Sequence, residues 1–518
     1  MAVQQLMTEH NIDYKRCFRN KAAEEEVKEQ CSGSGSLQQW DSRTDYTNVA
    51  RLLMTKCLEH YEEGLNMNDD VDDKGTSGIP RSSRLAAVAA SSSKSSSRSM
   101  GTLYCGALGP RAYLRLRMAQ HLQSFGHQQL EKMEHEVILE LQQEALKVTQ
   151  KAVQIETEQY SRQRRTPRVS LLESSYVGSK ALLAALYQHV GEFQKAQQEA
   201  LELLNFLSKS QAVMEGTECE VLYGRAGAMQ AILFLRRELH QETLGSAELV
   251  VLAKDIILQG LRIANENNKN TTSLPLLWQW HDKTYLGAAH GIVGILHTLL
   301  CLSPSEFQQV DDHLITQDRH FQRAALSSSF DMIRETICGL NDTCCWPSGN
   351  LKSSIPTSSS SKDKLVHWCH GAPGHVLLLV KAYEVYQDES FLERARIIGR
   401  DVIWPRGLLR KGVGLCHGIS GNAYSMLSLA RPLLDKKDDT MKCWMQRVHH
   451  FVAFAFDNLS SSLEDVPDHP YSLFEGIGGL VLLLMDLAEV QHYYYETRDE
   501  DSHETLRRSI GRFPLYDF

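Results

Sequence analysis

Apolar residues in this chain fall into two kinds of run. After Gly421 come Ala423, Met426, Leu427 and Leu429. After Gly374 come Val376, Leu377, Leu378, Leu379, Val380 and Tyr383, and after Gly294 come Ile295, Leu296, Leu299 and Leu300. These runs are apolar on most faces, the pattern of a helix packed on both sides. The stretch Phe391–Ile403 instead has one apolar stripe and one charged face, which predicts an outer, half-solvated helix. Segments that alternate with the strand period of two are scarce, so the pattern predicts an all-α chain.

A Gly-x-x-Gly motif stands in front of the apolar runs. It occurs at Gly106/Gly109, Gly224/Gly227, Gly291/Gly294, Gly371/Gly374, Gly418/Gly421 and Gly476/Gly479. A degenerate copy, Ser175-Tyr176-Val177-Gly178, fills the long gap between the first two and makes seven. Seven helix pairs, each outer and amphipathic then inner and apolar, predict an α/α toroid. A glycine at each inner-helix start lets neighbouring backbones approach closely. The N–H groups of those starts would face one mouth of the ring.

Two segments lack any apolar periodicity. Residues 66–100 are rich in Asp, Gly and Ser, and residues 353–362 read Ser-Ser-Ile-Pro-Thr-Ser-Ser-Ser-Ser-Lys. Neither can bury enough surface to offset chain entropy. The expected organisation is an N-terminal arm with the first outer helix over 1–65, a disordered insertion over 66–100, and the seven-repeat toroid over 101–518, with a Ser-rich loop at 353–362. The charged stretch Glu496–Arg508 is expected to be a further loop.

Composition narrows the function classes. Hydrophobic residues are 42% of the 518, enough for a core, and 55 basic against 64 acidic residues give a net charge of −9. That balance gives no electrostatic footprint for nucleic acid. The apolar runs are far too short for a transmembrane span. Met1-Ala2-Val3-Gln4-Gln5 is polar and lacks the apolar core of a secretory leader. A cytoplasmic protein is therefore expected, its twelve scattered cysteines reduced or metal-bound.

The residue before the first glycine is repeatedly reactive: His290, His370, His417, Glu475. Cys369 and Cys416 share another slot, two residues before the first glycine, in consecutive units. Neighbouring units of a toroid would bring two thiols and two imidazoles together, and zinc takes such donors with tetrahedral geometry. The bland alternative is two buried cysteines and two core histidines. His290 has no cysteine beside it and is a candidate acid/base, since imidazole titrates near neutrality.

Three segments carry a resemblance: Tyr285-Leu-Gly-Ala-Ala-His-Gly291, Leu365-Val-His-Trp-Cys-His-Gly-Ala-Pro-Gly374, and Gly407-Leu-Leu-Arg-Lys-Gly-Val-Gly-Leu-Cys-His-Gly418. Ser472-Leu-Phe-Glu-Gly476 and Lys15-Arg-Cys-Phe18 agree with them. The chain resembles the LanC-like family, the eukaryotic relatives of bacterial lanthionine cyclases. The resemblance implies a double seven-helix α/α barrel with zinc held by Cys369, Cys416 and His417. It implies a transferase that adds the glutathione thiol to dehydroalanine or dehydrobutyrine side chains in proteins. Glutathione would then be the co-substrate, and proteins carrying dehydroamino acids the partners. By matching motif positions, His290 and Lys411 correspond to active-site residues. Arg16 matches an arginine that reaches the site from the N-terminal arm, so Arg16 and Lys411 are expected to bind glutathione or stabilise developing charge. His370 stands where bacterial cyclases carry a tyrosine beside the zinc-bound cysteine. The rival from another class is a glutathione-binding adaptor that keeps the zinc site but turns nothing over.

Overall fold

The computed structural model describes residues 20, 45–69, 101–125, 132–162, 168–210, 213, 216, 218–267, 274–317, 328–343, 365–436, 439–459, 467–495 and 510–518. The helices in chain order are α1 (Tyr46–Asp69), α2 (Leu114–Phe125), α3 (Lys132–Arg162), α4 (Ser175–His189) and α5 (Phe193–Lys209). There follow α6 (Arg225–Leu239), α7 (Ser246–Asn267), α8 (Ile292–Leu299), α9 (Pro304–Gln317) and α10 (Ser329–Thr343). The last are α11 (Ala372–Tyr386), α12 (Glu389–Ile398), α13 (Ile419–Ala430), α14 (Asp439–Asp457) and α15 (Ile477–Tyr495). Among the described residues there is no strand, only isolated bridges, among them Trp280–Lys283 and Val366–Gly371.

Helices α2, α4, α6, α8, α11, α13 and α15 form the inner ring. Burial separates them from the outer helices as the apolar patterns predict. Every residue of α13 is buried, whereas α12 buries only Phe391, Leu392, Ala395 and Ile398, one stripe at helical spacing. The stretch read as one outer helix to Ile403 is α-helical only to Ile398. At Gly399, wedged against Leu429 and Trp444, the backbone widens into a π turn through Ile403. Helix α1 packs against α15, so the first outer helix covers the seam between the last unit and the first.

A closed circle of backbone hydrogen bonds joins the segments that lead into the inner helices. Tyr104 N donates to Leu172 O (3.1 Å), Leu171 N to Gly227 O (3.0 Å) and Val221 N to Ala289 O (3.1 Å). Ala288 N donates to Trp368 O (3.3 Å), Cys369 N to Cys416 O (3.3 Å), Cys416 N to Phe474 O (2.7 Å) and Phe474 N to Tyr104 O (3.2 Å). The seventh link returns to the first unit, so the seven units make a closed toroid. The Ser175 copy takes its place as the second unit, with one change. Ser174 caps α4 through its side chain, accepting from Val177 N, where Gly224, Gly291, Gly371 and Gly418 cap their helices without a side chain.

The motif glycines are explained by close approach. A Cβ on Gly421 would lie 1.8 Å from Leu415 O, and one on Gly294 would lie 1.9 Å from Ala288 O. The second glycine thus seats each inner helix on the backbone of its own lead-in segment, and no other residue fits there.

The C-terminal segment fills the ring below the mouth. Phe513 stacks on Trp368 at 5.1 Å between ring centroids, and Tyr516 stacks on His297 at 4.3 Å. Asp517 is 1% exposed and pairs with Arg431 at 3.0 Å.

Helix α1 continues to Asp69, past the boundary expected at residue 65. Residues 70–100, the loop at 353–362 and the stretch 496–508 lie outside the described residues, as do Cys344 and Cys345. No helix among the described residues is long and apolar enough to cross a membrane.

Candidate active site

The circle of backbone bonds places equivalent slots at equal height around one mouth. The slot before the first glycine holds Cys105, Tyr223, His290, His370, His417 and Glu475. The slot before that holds Tyr104, Leu222, Ala289, Cys369, Cys416 and Phe474. All six of these residues are buried.

Cys369 and Cys416 meet because their units are neighbours and Cys369 N bonds Cys416 O. The two Sγ atoms and a ring nitrogen of His417 all lie within 4.8 Å of one another. Burial, with Cys369 beside it, pushes the Cys416 thiol well above the ordinary range. The Tyr104 hydroxyl donates to Cys416 Sγ at 2.7 Å. A buried thiol with a second thiol against it resists ionisation, and a cation bound there would displace its proton. The donor set, two sulfurs and one imidazole, is that of zinc, and three protein donors leave a fourth position open. These residues fit the metal that the family resemblance implies. Burial pulls the His417 pKa down, but Cys416 and Glu475 outweigh it and the ring ends above its ordinary value.

His290 lies one unit away. Its Nδ1 is 2.7 Å from Glu220 Oε2. A carboxylate only accepts, so Nδ1 carries the hydrogen and Nε2 is the nitrogen that can exchange a proton. Glu220 is fixed in turn. Its Oε2 accepts from Leu222 N at 3.0 Å, its Oε1 accepts from Tyr223 N, and the side chain is 2% exposed. The Trp280 ring lies on the His290 ring, centroids 4.0 Å apart and planes 3° apart. His290 is therefore held by a carboxylate in its plane and an indole on its face.

His370 stands between the two groups, its ring centroid 6.2 Å from that of His290. Burial, then the charges of His290, Lys411 and His417, lower its pKa to about 4, so it is neutral near pH 7. Lys411 is exposed on the turn before Gly412, close enough for its charge to act on His370 and His417. Arg16 lies outside the described residues.

The chain thus brings Cys369, Cys416, His417, His370 and His290 to one mouth, with Lys411 at its edge. Sequence reasoning missed Glu220, Trp280 and Tyr104. Tyr104 had a signal, since it occupies the slot of Cys369 and Cys416. Glu220 had a weaker one, a lone carboxylate inside the apolar lead-in Cys219–Leu222. Trp280 sits outside the motif. It comes over His290 through a turn in which His281 and Asp282 both take positive φ, 46° and 57°.

A toroid built on seven inner helices, with a cysteine–histidine centre at one mouth, is the class that the fold and site define. The sequence profile described as lanthionine synthetase C-like protein matches residues 100–493. The chain belongs to the lanthionine synthetase C-like family. It is 34% identical over 317 residues to the glutathione S-transferase LANCL1 of Danio rerio, covering 60% of this chain and 69% of that protein. It is 34% identical over 277 residues to the LanC-like protein GCL1 of Arabidopsis thaliana, covering 53% of this chain and 56% of the relative. Among solved structures, nisin cyclase superposes with a TM-score of 0.48 at 14% identity, over 80% of this chain and 93% of that one.

Proposed function

We propose that this protein adds the thiol of glutathione to dehydroalanine or dehydrobutyrine residues of proteins, with zinc bound by Cys369, Cys416 and His417. The observation that carries the reading is the two-thiol, one-imidazole centre on the same mouth as a histidine–carboxylate pair. The name of the Danio rerio relative, a glutathione S-transferase, supports the choice of thiol. A zinc ion bound at the centre would supply the positive charge that holds the attacking sulfur as a thiolate near neutral pH.

The chain's own residues manage the proton. In the net reaction a sulfur–carbon bond forms at the β-carbon, the carbon–carbon π bond is lost, and the thiol hydrogen ends on the α-carbon. His290 Nε2 takes up that proton and returns it to the α-carbon. Glu220 stabilises the imidazolium that exists between the two transfers. The neutral His370 adds no charge to the site and can bond a substrate carbonyl or amide. Lys411 at the rim, together with Arg16, is assigned the anionic groups: glutathione carboxylates and the enolate oxygen that develops during attack. The inner-helix starts around the mouth add N–H groups of the same sign.

The test is mass-resolved addition of glutathione to a dehydroalanine peptide by purified protein of known zinc content. Adduct above the uncatalysed rate supports the enzyme. Glutathione binding without any adduct, at full zinc, replaces it with the adaptor.

A further inference from the structure

The first and last units build a second convergence of donors on the same mouth. Cys105 and Glu475 occupy the slot that His370 and His417 occupy elsewhere. The seam between their units is closed by Phe474 N bonding Tyr104 O, with the Tyr104 and Phe474 rings stacked at 4.7 Å. His469 joins them from the lead-in turn of the seventh unit. Ser472 fixes that turn: its hydroxyl donates to His469 O at 3.0 Å and accepts from Glu475 N at 3.2 Å. The Cys105 sulfur, a His469 ring nitrogen and a Glu475 carboxylate oxygen lie within 4.8 Å of one another.

We propose that Cys105, His469 and Glu475 form a second site for a divalent cation of the zinc class, two seams around the rim from Cys369, Cys416 and His417. Two features carry it. The donors come from two units that the ring itself holds together, as at the first centre. One thiolate, one imidazole and one carboxylate suit zinc or cobalt and do not suit magnesium or calcium, which take oxygen ligands. His469 Nδ1 lies 2.7 Å from Glu475 Oε2, so these two donors already face one another, and a cation bound there would take the place of the proton between them. His469, with 45% of its side chain exposed, gives the ion a way in from solvent, while Glu475 at 12% forms the floor. Three protein donors leave a coordination position open toward the mouth.

This site does not depend on the proposed reaction, and its test separates the two. Metal-free full-length protein is titrated with cobalt(II), following thiolate-to-cobalt charge-transfer absorption, and zinc content after reloading is measured by elemental analysis. The wild type is expected to take up two equivalents per chain. Cys105→Ser and His469→Ala should each fall to one, and Cys105→Ser should lose about a third of the charge-transfer intensity, one thiolate of three. Cys416→Ala should retain one equivalent, at the second site. Far-UV circular dichroism checks that each variant is folded, and His469, on a half-exposed turn, is the safer of the two substitutions. A wild type that saturates at one equivalent, lost in Cys416→Ala, overturns the second site and leaves the proposed function standing. Two equivalents retained in both Cys105→Ser and His469→Ala also overturn it. A single equivalent that survives Cys416→Ala and vanishes in Cys105→Ser supports the second site and overturns the first centre instead.

Discussion

At the end of the ring filled by the C-terminal segment, the Asp517 carboxylate meets Arg431 at 3.0 Å, Arg512 at 3.4 Å and His297 at 3.5 Å. Burial raises its pKa, but Arg431, His297 and Arg512 outweigh that and hold the carboxyl well below its ordinary range. At the mouth, Cys416 is buried against Cys369 and pushed the other way, well above the ordinary thiol. One set of units builds both ends. At the first, a buried charge is matched by opposite charges of the chain itself. At the second, the two thiols disfavour one another's ionised forms. A protein-supplied match marks a structural polar group, and a mismatch marks a place that awaits a ligand of opposite charge. The histidines divide on exposure instead. His375 is buried inside α11, and burial lowers it to about 3, whereas His290 keeps a carboxylate at 2.7 Å and a partly open face.

The strongest way to break the comparison is at the thiols. Cys416→Ala should lose the metal of the first centre, and glutathione addition should fall by more than about 100-fold, the upper cost of losing a group one layer out from a metal. Full zinc at that centre in the variant would mean that the mismatch has another cause. His290→Asn should keep zinc and glutathione binding while slowing addition by about 10²–10⁴-fold, the range of general acid–base catalysis. A wild-type rate there would transfer the proton to another group, with His370, in the same slot of the next unit, tested next. Glu220→Gln leaves the carboxylate's place filled but removes its charge. It should slow turnover toward the lower end of that range, about 10²-fold. The loss should fall in kcat more than in KM, and zinc content should not change.

At the closed end the expected effects are on stability alone. Asp517→Asn removes one partner of a buried ion-pair group, so unfolding should become easier by about 3–5 kcal/mol. Metal content and turnover of the folded protein should stay at wild-type level. Lost zinc in that variant would show that the two ends are not separable. The pH dependence gives a milder test. Asp517 is depressed in the fold, so its contribution is present above the unfolded carboxylate value, about 3.9, and is lost only as pH falls through that value and below. His375 and His449, both lowered by burial to about 3, are neutral in the fold and titrate near 6.5 when unfolded. Their contribution is complete above that value and declines as pH falls from about 6.5 toward 3. Thermal stability of the wild type should therefore decline on acidification from pH 6.5 to 4.5, and Asp517→Asn should run parallel to it across that window. A flat wild-type profile would mean that these rings are not held neutral.

Much of this was legible in the chain because the repeat repeats its chemistry. Gly421 and Gly294 announce a register that the backbone then requires, and Cys369 and Cys416 share one slot of that register. The Ser175 copy was legible for the same reason, although its cap, Ser174, stands one residue earlier than the glycine caps. What lies outside the register was not legible. Trp280 reaches His290 through two left-handed residues that no periodicity marks. Glu220 is four residues before its glycine, and only folding brings its carboxylate to His290 Nδ1. The end of the outer helix at Ile398 was missed because Gly399–Ile403 keeps helical spacing while its backbone opens into a π turn. Arg16 and Lys411 rest on resemblance. Lys411 is now placed at the rim, and Arg16 remains an expectation.

The account stands on one joint measurement: adduct mass and metal content, taken together, for wild type, Cys416→Ala and His290→Asn acting on a dehydroalanine peptide with glutathione. The account predicts adduct and zinc in the wild type, and neither adduct nor first-centre zinc in Cys416→Ala. It predicts zinc with slowed adduct formation in His290→Asn. Wild-type protein carrying full zinc that forms no adduct above the uncatalysed rate, across several peptides, would contradict it.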